Sequence, residues 1–289
     1  MKPARFAYAR PETLGEALAL LTKYGSDASI LAGGQSLMPM LNLRVAQPAI
    51  LIDINDVPDL DTIAECNNRI IVGGRVRHND ALHSPLLAAS NSLLVHALPH
   101  VAHAAIRNRG TLGGSLALAD PAAELPACAV CLDAEIAAVS QRGERVISAA
   151  DFFQGVYATA LEPDEMITRV AFPVLDASWH VGFDEVARRS GDFAIAALAL
   201  AAKVIDRRIV DCRIAFAGVE SHVRRLSEVE RALAGALISD LPVRTAASEI
   251  LTNVIEPLEE GQYPPAYRRH LARALLDRLL TRICQRVYA

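Results

Sequence analysis

Apolar residues recur at helical spacing through residues 12–24, ETLGEALALLTKY, and predict a first helix. Short apolar runs then predict buried strands: SILA at 29–32, AILIDI at 49–54 and IIVGG at 70–74. Helical patterns follow at 80–89, DALHSPLLAA, and at 92–106, SLLVHALPHVAHAAI. The stretch EIAAVSQRGERVISAADFF at 135–153 predicts a hairpin with a glycine in its turn, and EMITRVAFP closes this region near Pro173. Residues 174–180, VLDASWH, read as a linker into a new unit. Beyond it, IAALALAAKVI and IVDCRIAFAGV flank residues 206–208 as the two strands of a hairpin. Helices are predicted near 226–237, 241–257 and 264–286. The last sets Leu271, Leu275, Leu279 and Ile283 on one face with arginines opposite. Strands mixed with helices throughout give an α+β class. The pattern divides the chain into units at 1–58, 59–173 and 180–289.

Two glycine loops interrupt this pattern. Gly33-Gly34-Gln35-Ser36 joins a predicted strand to a predicted helix, and Thr111-Leu112-Gly113-Gly114-Ser115 repeats the same Gly-Gly-polar core. Successive glycines let the backbone approach an anion closely, and a helix N-terminus adds free N–H groups and a favourable dipole. Ser36 is placed to cap its helix or to donate to an oxygen. One such loop is more often a plain turn than a site. Two within about 120 residues suit a ligand with two phosphates, such as a dinucleotide. Neither loop matches GxGxxG or GxxxxGK[ST], so the nicotinamide-binding doubly wound fold and the P-loop are disfavoured.

Composition narrows the classes further. At 289 residues and 52% hydrophobic, the chain has material for a large core, and disorder is excluded. A formal net charge of −4, with aromatics at 5%, argues against nucleic acid as the ligand. The N-terminal stretch has no apolar core of a secretory signal, and no run is long enough to span a membrane, so a cytoplasmic location is expected. Five cysteines in such a chain read as free thiols.

Four stretches occur in a fixed order: LAGGQSLMPMLNLR, IRNRGTLGGSLALADPAAELPA, FFQGVYATALEPDEMI and EVARRSGDFAIA. Together they resemble the FAD-binding medium subunit of the molybdenum hydroxylases, the xanthine dehydrogenase and carbon monoxide dehydrogenase family. The likeness runs over almost the whole chain. It is nearest to the separate-subunit bacterial enzymes that oxidise N-heterocycles, of the caffeine or nicotine dehydrogenase type. The resemblance implies a two-lobed FAD-binding domain, a small N-terminal α/β lobe and a central α+β lobe, followed by a C-terminal sheet-and-helix domain. It implies that Ala32, Gly33, Gly34, Gln35 and Ser36, flanked by Leu31 and Leu37, wrap the FAD pyrophosphate, with Thr111, Leu112, Gly113, Gly114 and Ser115 as the other half of the cradle. Asp120 and Glu124 fall where the family carries a carboxylate near the flavin nucleotide. That residue is often Asp, so Glu124 is one methylene longer. Leu161 would pack near the flavin. In Gly191-Asp192-Phe193-Ala194 many relatives carry Tyr beside the isoalloxazine; Phe193 keeps the ring and loses the hydroxyl. The resemblance also implies partners: a large subunit with a molybdenum–pterin cofactor and a small subunit with two 2Fe–2S centres, in a heterotrimer that is often doubled. Electrons would reach this FAD and pass to NAD, oxygen or a quinone.

Other residues carry chemistry only on weaker grounds. Cys128 and Cys131 form CxxC, but no second pair completes a four-ligand site, and the segment reads as a buried helix of core thiols. His96, His100 and His103 fall at helical spacing without an acidic or thiol partner, which favours a surface or interface over a metal site. Arg107, Arg109, Arg188 and Arg189 could steady an anion or dock a partner, or could be solvated. No nucleophile–base arrangement stands out, so no residue of this chain is assigned catalysis. Two other functions remain open: a stand-alone FAD oxidase or dehydrogenase, and a flavin-free assembly module.

Overall fold

The computed structural model describes residues 2–259 and 262–289. The chain begins with β1 (Ala7–Ala9), α1 (Leu14–Tyr24), β2 (Ala28–Leu31), α2 (Leu37–Asn42) and β3 (Ile50–Asp53). The strands form a sheet in the order β1-β3-β2, parallel at both pairings. Parallel neighbours require crossovers, and the segments carrying α1 and α2 provide them. β3 is buried at all four positions and takes the centre, as its unbroken apolar run requires. Thr13 opens α1 by accepting the Glu16 N–H at 3.2 Å. The helix then buries Ala17, Leu18 and Leu21 in a core that includes Ile50, Ile52 and Met166.

The middle of the chain is β4 (Ile63–Cys66), β5 (Arg69–Gly73), α3 (His78–Leu82), α4 (Pro85–Ser90), α5 (Ser92–Ala97), α6 (Ala104–Arg107), α7 (Leu112–Leu118) and α8 (Glu124–Cys131). It continues through β6 (Glu135–Ser140), β7 (Gly143–Ser148), α9 (Ala149–Phe152), β8 (Phe153–Gly155), β9 (Ala158–Thr159) and β10 (Met166–Pro173). Five strands pair antiparallel in the order β4-β5-β10-β6-β7, and β8 pairs with β9. α8 is buried at every position because it lies between this unit and the next sheet.

That sheet holds β11 (Trp179–Ala187), β12 (Ala194–Ile205) and β13 (Arg208–Ala217), antiparallel in this order, and is followed by α10 (Ser227–Leu233), α11 (Leu241–Val254) and α12 (Pro265–Tyr288). β12 reads as one apolar run, yet its two faces differ. Ala197, Ala199 and Ala201 join the core that contains α8, and their small size lets that helix come close. Ala196, Leu198, Leu200 and Ala202 join a second core under α10, α11 and α12. Arg268, buried near the start of α12, donates through Nη1 to the carbonyls of Ile195, at 2.8 Å, and of Gly218. The Gly218 N–H donates to the Pro121 carbonyl at 2.7 Å and so ties this sheet to the segment after the second glycine loop.

The mixed class holds, with three differences in detail. The pattern at 92–106 does not form one helix. Pro99 cannot continue α5, and the chain turns through Ala102 at φ 42° before α6 begins. His96, His100 and His103 therefore do not share a helical face. Secondly, β11 takes part of the stretch read as a linker, so the hairpin becomes a three-stranded sheet. Gly182, Asp184 and Glu185 obscure its alternation. Gly182 packs against α12, where a Cβ would lie 2.9 Å from Leu279 Cδ2. Thirdly, the 80–89 pattern is split by Ser84, whose hydroxyl accepts the Leu87 N–H and starts α4. No helix among the described residues is long and apolar enough to cross a membrane.

Cys128, Cys131 and Cys212 are buried. Burial pushes the Cys131 thiol up to about 12 and raises Cys128 and Cys212 as well. Iodoacetamide on the folded chain is expected to label the exposed Cys66 and the half-buried Cys284 only, with all five thiols reacting after denaturation. Mass spectrometry reads the count, and rapid native labelling of Cys128 or Cys131 would contradict their place in the core.

Candidate functional site

The fold brings the two glycine loops into contact. Gly33 sits so close to the turn leading into the second loop that a Cβ there would lie 2.4 Å from the Arg109 carbonyl oxygen and 2.9 Å from Gly110 Cα. Gly34 adopts φ 72°, which favours glycine. Between Gly33 and Ser36 the backbone N–H groups donate to no acceptor among the described residues, which leaves a run of free donors on one turn. Gln35 Nε2 donates to the Gly33 carbonyl at 3.1 Å and stiffens that turn. Leu31 ends β2, Leu37 begins α2, and Ser36 is exposed between them. Ser36 makes no capping hydrogen bond to α2, so of its two expected roles only donation outward is open to it.

The second loop differs. Its N–H groups are largely used within the protein: Leu112 donates to the Val76 carbonyl, Gly113 to Gly74 and Ser115 to Thr111. Thr111 Oγ1 accepts the Gly114 N–H at 3.1 Å and caps α7. Gly113 lies against Gly74, where a Cβ would come 2.6 Å from the carbonyl oxygen. Gly114 is exposed, Ser115 half-buried and Leu112 buried.

A polar network that the sequence reading missed joins the loops. Asn55 Nδ2 donates to the Ala32 carbonyl at 3.0 Å and to Asp53 Oδ1 at 2.6 Å. Arg77 donates to Asn55 Oδ1 at 2.5 Å and, through Nη1, to the Arg109 carbonyl. Tyr8 donates to Asp53 Oδ2 at 2.6 Å. Burial pushes the Asp53 carboxyl up, but hydrogen bonds from Tyr8 and Asn55 outweigh it and hold the group below its ordinary value. The available signal was a run of polar residues at the carboxyl end of an apolar strand, IDIND, where ligand sites of α/β sheets gather. Beneath the second loop His78 is buried, and burial lowers it to about 4, so it is neutral at pH 7. Arg107 donates to the carbonyls of Val101 and Ala102, at 2.9 and 3.0 Å, and fixes the turn before α6 instead of standing free in solvent.

Past α7, Asp120 is buried. It accepts the Tyr157 hydroxyl at 3.1 Å and the Ala122 N–H at 2.9 Å. Leu161 is half-buried on the central core. Gly191, at φ 82°, rests on Ala102 and the His103 ring, which seats the β11–β12 turn on the central unit. Asp192 and Phe193 cap that turn. The Phe193 side chain is 71% exposed.

Glu124 begins α8 and is 8% exposed. Burial pushes its carboxyl up to about 7, and the neighbouring Glu185 adds to the rise. The folded chain thus retains a proton that an unfolded glutamate releases near pH 4.3, roughly. The contribution of this group to stability is full below that pH and is lost as pH rises through about 7. Glu124→Gln is expected to raise the melting temperature at about pH 8.5 and to change it little at about pH 5. Melting curves at the two pH values check this, and an equal shift at both would remove the buried charge as the cause.

Comparison with known proteins gives this geometry its setting. Residues 4–175 match the family described as FAD binding domain in molybdopterin dehydrogenase, and residues 182–283 match the CO dehydrogenase flavoprotein C-terminal domain. The chain is 39% identical to the caffeine dehydrogenase subunit beta of Pseudomonas sp. (strain CBB1), over 99% of this chain and 97% of that one. Its fold superposes on a carbon monoxide dehydrogenase chain from Hydrogenophaga pseudoflava with TM-score 0.94 and 35% identity, covering 97% of this chain and 98% of that one. A chain of quinoline 2-oxidoreductase from Pseudomonas putida 86 superposes with TM-score 0.93 and 37% identity, covering 99% of each. Matches that span both units at this identity leave one assignment: the chain belongs to the FAD-binding medium subunits of the molybdenum hydroxylase family.

Proposed function

We propose that this chain carries electrons from 2Fe–2S centres on a small partner subunit, through its own FAD, to NAD, oxygen or a quinone. A large partner with a molybdenum–pterin cofactor would oxidise the substrate, and the assembly would be a doubled heterotrimer in the cytoplasm. The observation that carries the reading is the turn of free N–H groups from Gly33 to Ser36, braced against the second glycine loop. Such a turn fits a pyrophosphate, because several backbone donors converge where no side chain intervenes.

FAD, when bound, supplies the passage between one-electron and two-electron chemistry. The residues of this chain hold and shield it. Ala32, Gly33, Gly34, Gln35 and Ser36, with Leu31 and Leu37, would face the phosphates from one side, and Thr111, Leu112, Gly113, Gly114 and Ser115 from the other. Asp120 and Glu124 would stand near the nucleotide. Leu161, Asp192 and Phe193 would lie toward the flavin ring, with Phe193 offering a face and no hydrogen bond. An N-heterocycle is the proposed substrate class of the whole enzyme; caffeine and quinoline, named in two of the relatives, are both N-heterocycles.

An absorption spectrum of the purified chain, before and after acid release of its chromophore, tests the reading. About one FAD per chain is expected, with no substrate hydroxylation until the partner subunits are added. A colourless chain that fails to take up added FAD would overturn it. Turnover by the single chain would favour a stand-alone oxidase instead.

A further inference from the structure

A cleft of about 310 Å³ lies where α5 meets β11 and α12. Phe183, Leu279 and Ile283 give it an apolar wall, and His96, Arg282 and Arg286 give it a polar one. Clefts of this size at the junction of two units are the usual form of small-ligand sites.

The charges around it are uneven. α12 carries six arginines against one aspartate, in a chain whose formal net charge is −4. Asp184 is shared by Arg278 at 2.7 Å and Arg282 at 2.8 Å. Glu185 is held by His100 at 3.2 Å. Arg286 donates only to the Val181 carbonyl, at 3.1 Å, and no carboxylate among the described residues lies within ion-pair distance of it. Burial and the charge of Arg286 both lower the His96 pKa, which leaves that ring a neutral donor at the same wall. The arrangement presents one uncompensated guanidinium beside an apolar surface. A planar guanidinium with spare donors binds a carboxylate edge-on through paired hydrogen bonds.

We propose that this cleft binds a small monoanionic carboxylate with a flat apolar body, the carboxylate on Arg286 and His96 and the body against Phe183, Leu279 and Ile283. The ligand would touch both units and so stabilise their packing across the junction. The cleft shares no lining residue with the two glycine loops, and the proposal does not rest on the electron-transfer reading.

Benzoate is the probe, with uncharged benzamide and inorganic phosphate as comparators, titrated into the full chain and followed by ligand-observed NMR. Benzoate is expected to bind one-to-one, about tenfold more tightly than benzamide or phosphate, and to weaken about tenfold in Arg286→Gln. Far-UV circular dichroism checks that the variant is folded. Val95→Phe, which narrows the cleft from α5 without altering a charge, should likewise weaken binding by about tenfold or more and serves if Arg286→Gln does not fold. No benzoate binding by the wild-type chain, equal binding of benzamide or of phosphate, or unchanged affinity in either folded variant would overturn the proposal.

Discussion

Gly33→Ala is expected to leave the purified chain with little flavin. The added methyl would lie 2.4 Å from the Arg109 carbonyl oxygen and 2.9 Å from Gly110 Cα, both backbone atoms. No rotamer change relieves such a contact. Arg109 cannot retreat freely either, because Arg77 holds its carbonyl. The two loops must part, and overpacking of this kind costs about 1–3 kcal/mol or more. Bound FAD should fall by at least about tenfold, since 1.4 kcal/mol already corresponds to that factor. The measurement is FAD released per chain. Gly15→Ala is the control, because a Cβ at Gly15 meets nothing within 4 Å. A Gly33→Ala chain with a full complement of FAD would show that the contact between the loops does not shape the site.

Arg77→Met should have the second-largest effect. It keeps an apolar stem and removes the donors to Asn55, which holds the Ala32 carbonyl of the first loop, and to the Arg109 carbonyl before the second. Acceptors left without a donor cost about 1–3 kcal/mol each when buried, and less here because Asn55 is only half-buried. A loss of about 1–2 kcal/mol is expected, read as a roughly tenfold rise in the FAD dissociation constant by flavin fluorescence. Asn55→Ala should weaken binding less. The double variant should fall short of the sum, because both residues act through one network. Strict additivity would mean that Arg77 and Asn55 support the loops independently.

The loops were legible from the sequence because glycine pairs after apolar strands are a local signal. The bracing between them was not. Asn55 lies 23 residues from Ala32 and 22 from Arg77, Asp53 lies 45 from Tyr8, and Arg77 lies 32 from Arg109, and no local pattern couples such positions. Helical periodicity found α11 and α12 within a few residues, yet it ran through Pro99, because apolar spacing continued where the backbone could not. β11 escaped because its polar residues, Asp184 and Glu185, are used in ion pairs with α12 and His100, so its alternation reports partners and not solvent. β12 is legible as one strand of a hairpin, but its division into an alanine face and a leucine face appears only when both neighbours are known.

That division also bears on the order in which the protein is made. The leucine face of β12 is covered by α12, and the Ile195 and Gly218 carbonyls are engaged by Arg268 near the start of that helix. Residues 265–288 emerge from the ribosome long after β12. Until then the sheet presents an apolar surface with nothing to cover it, the condition under which nascent chains associate wrongly. The same sheet is hydrogen-bonded through Gly218 to Pro121, next to the second glycine loop. The start of α12 is therefore linked, through Arg268 and Gly218, to the segment that follows the second glycine loop.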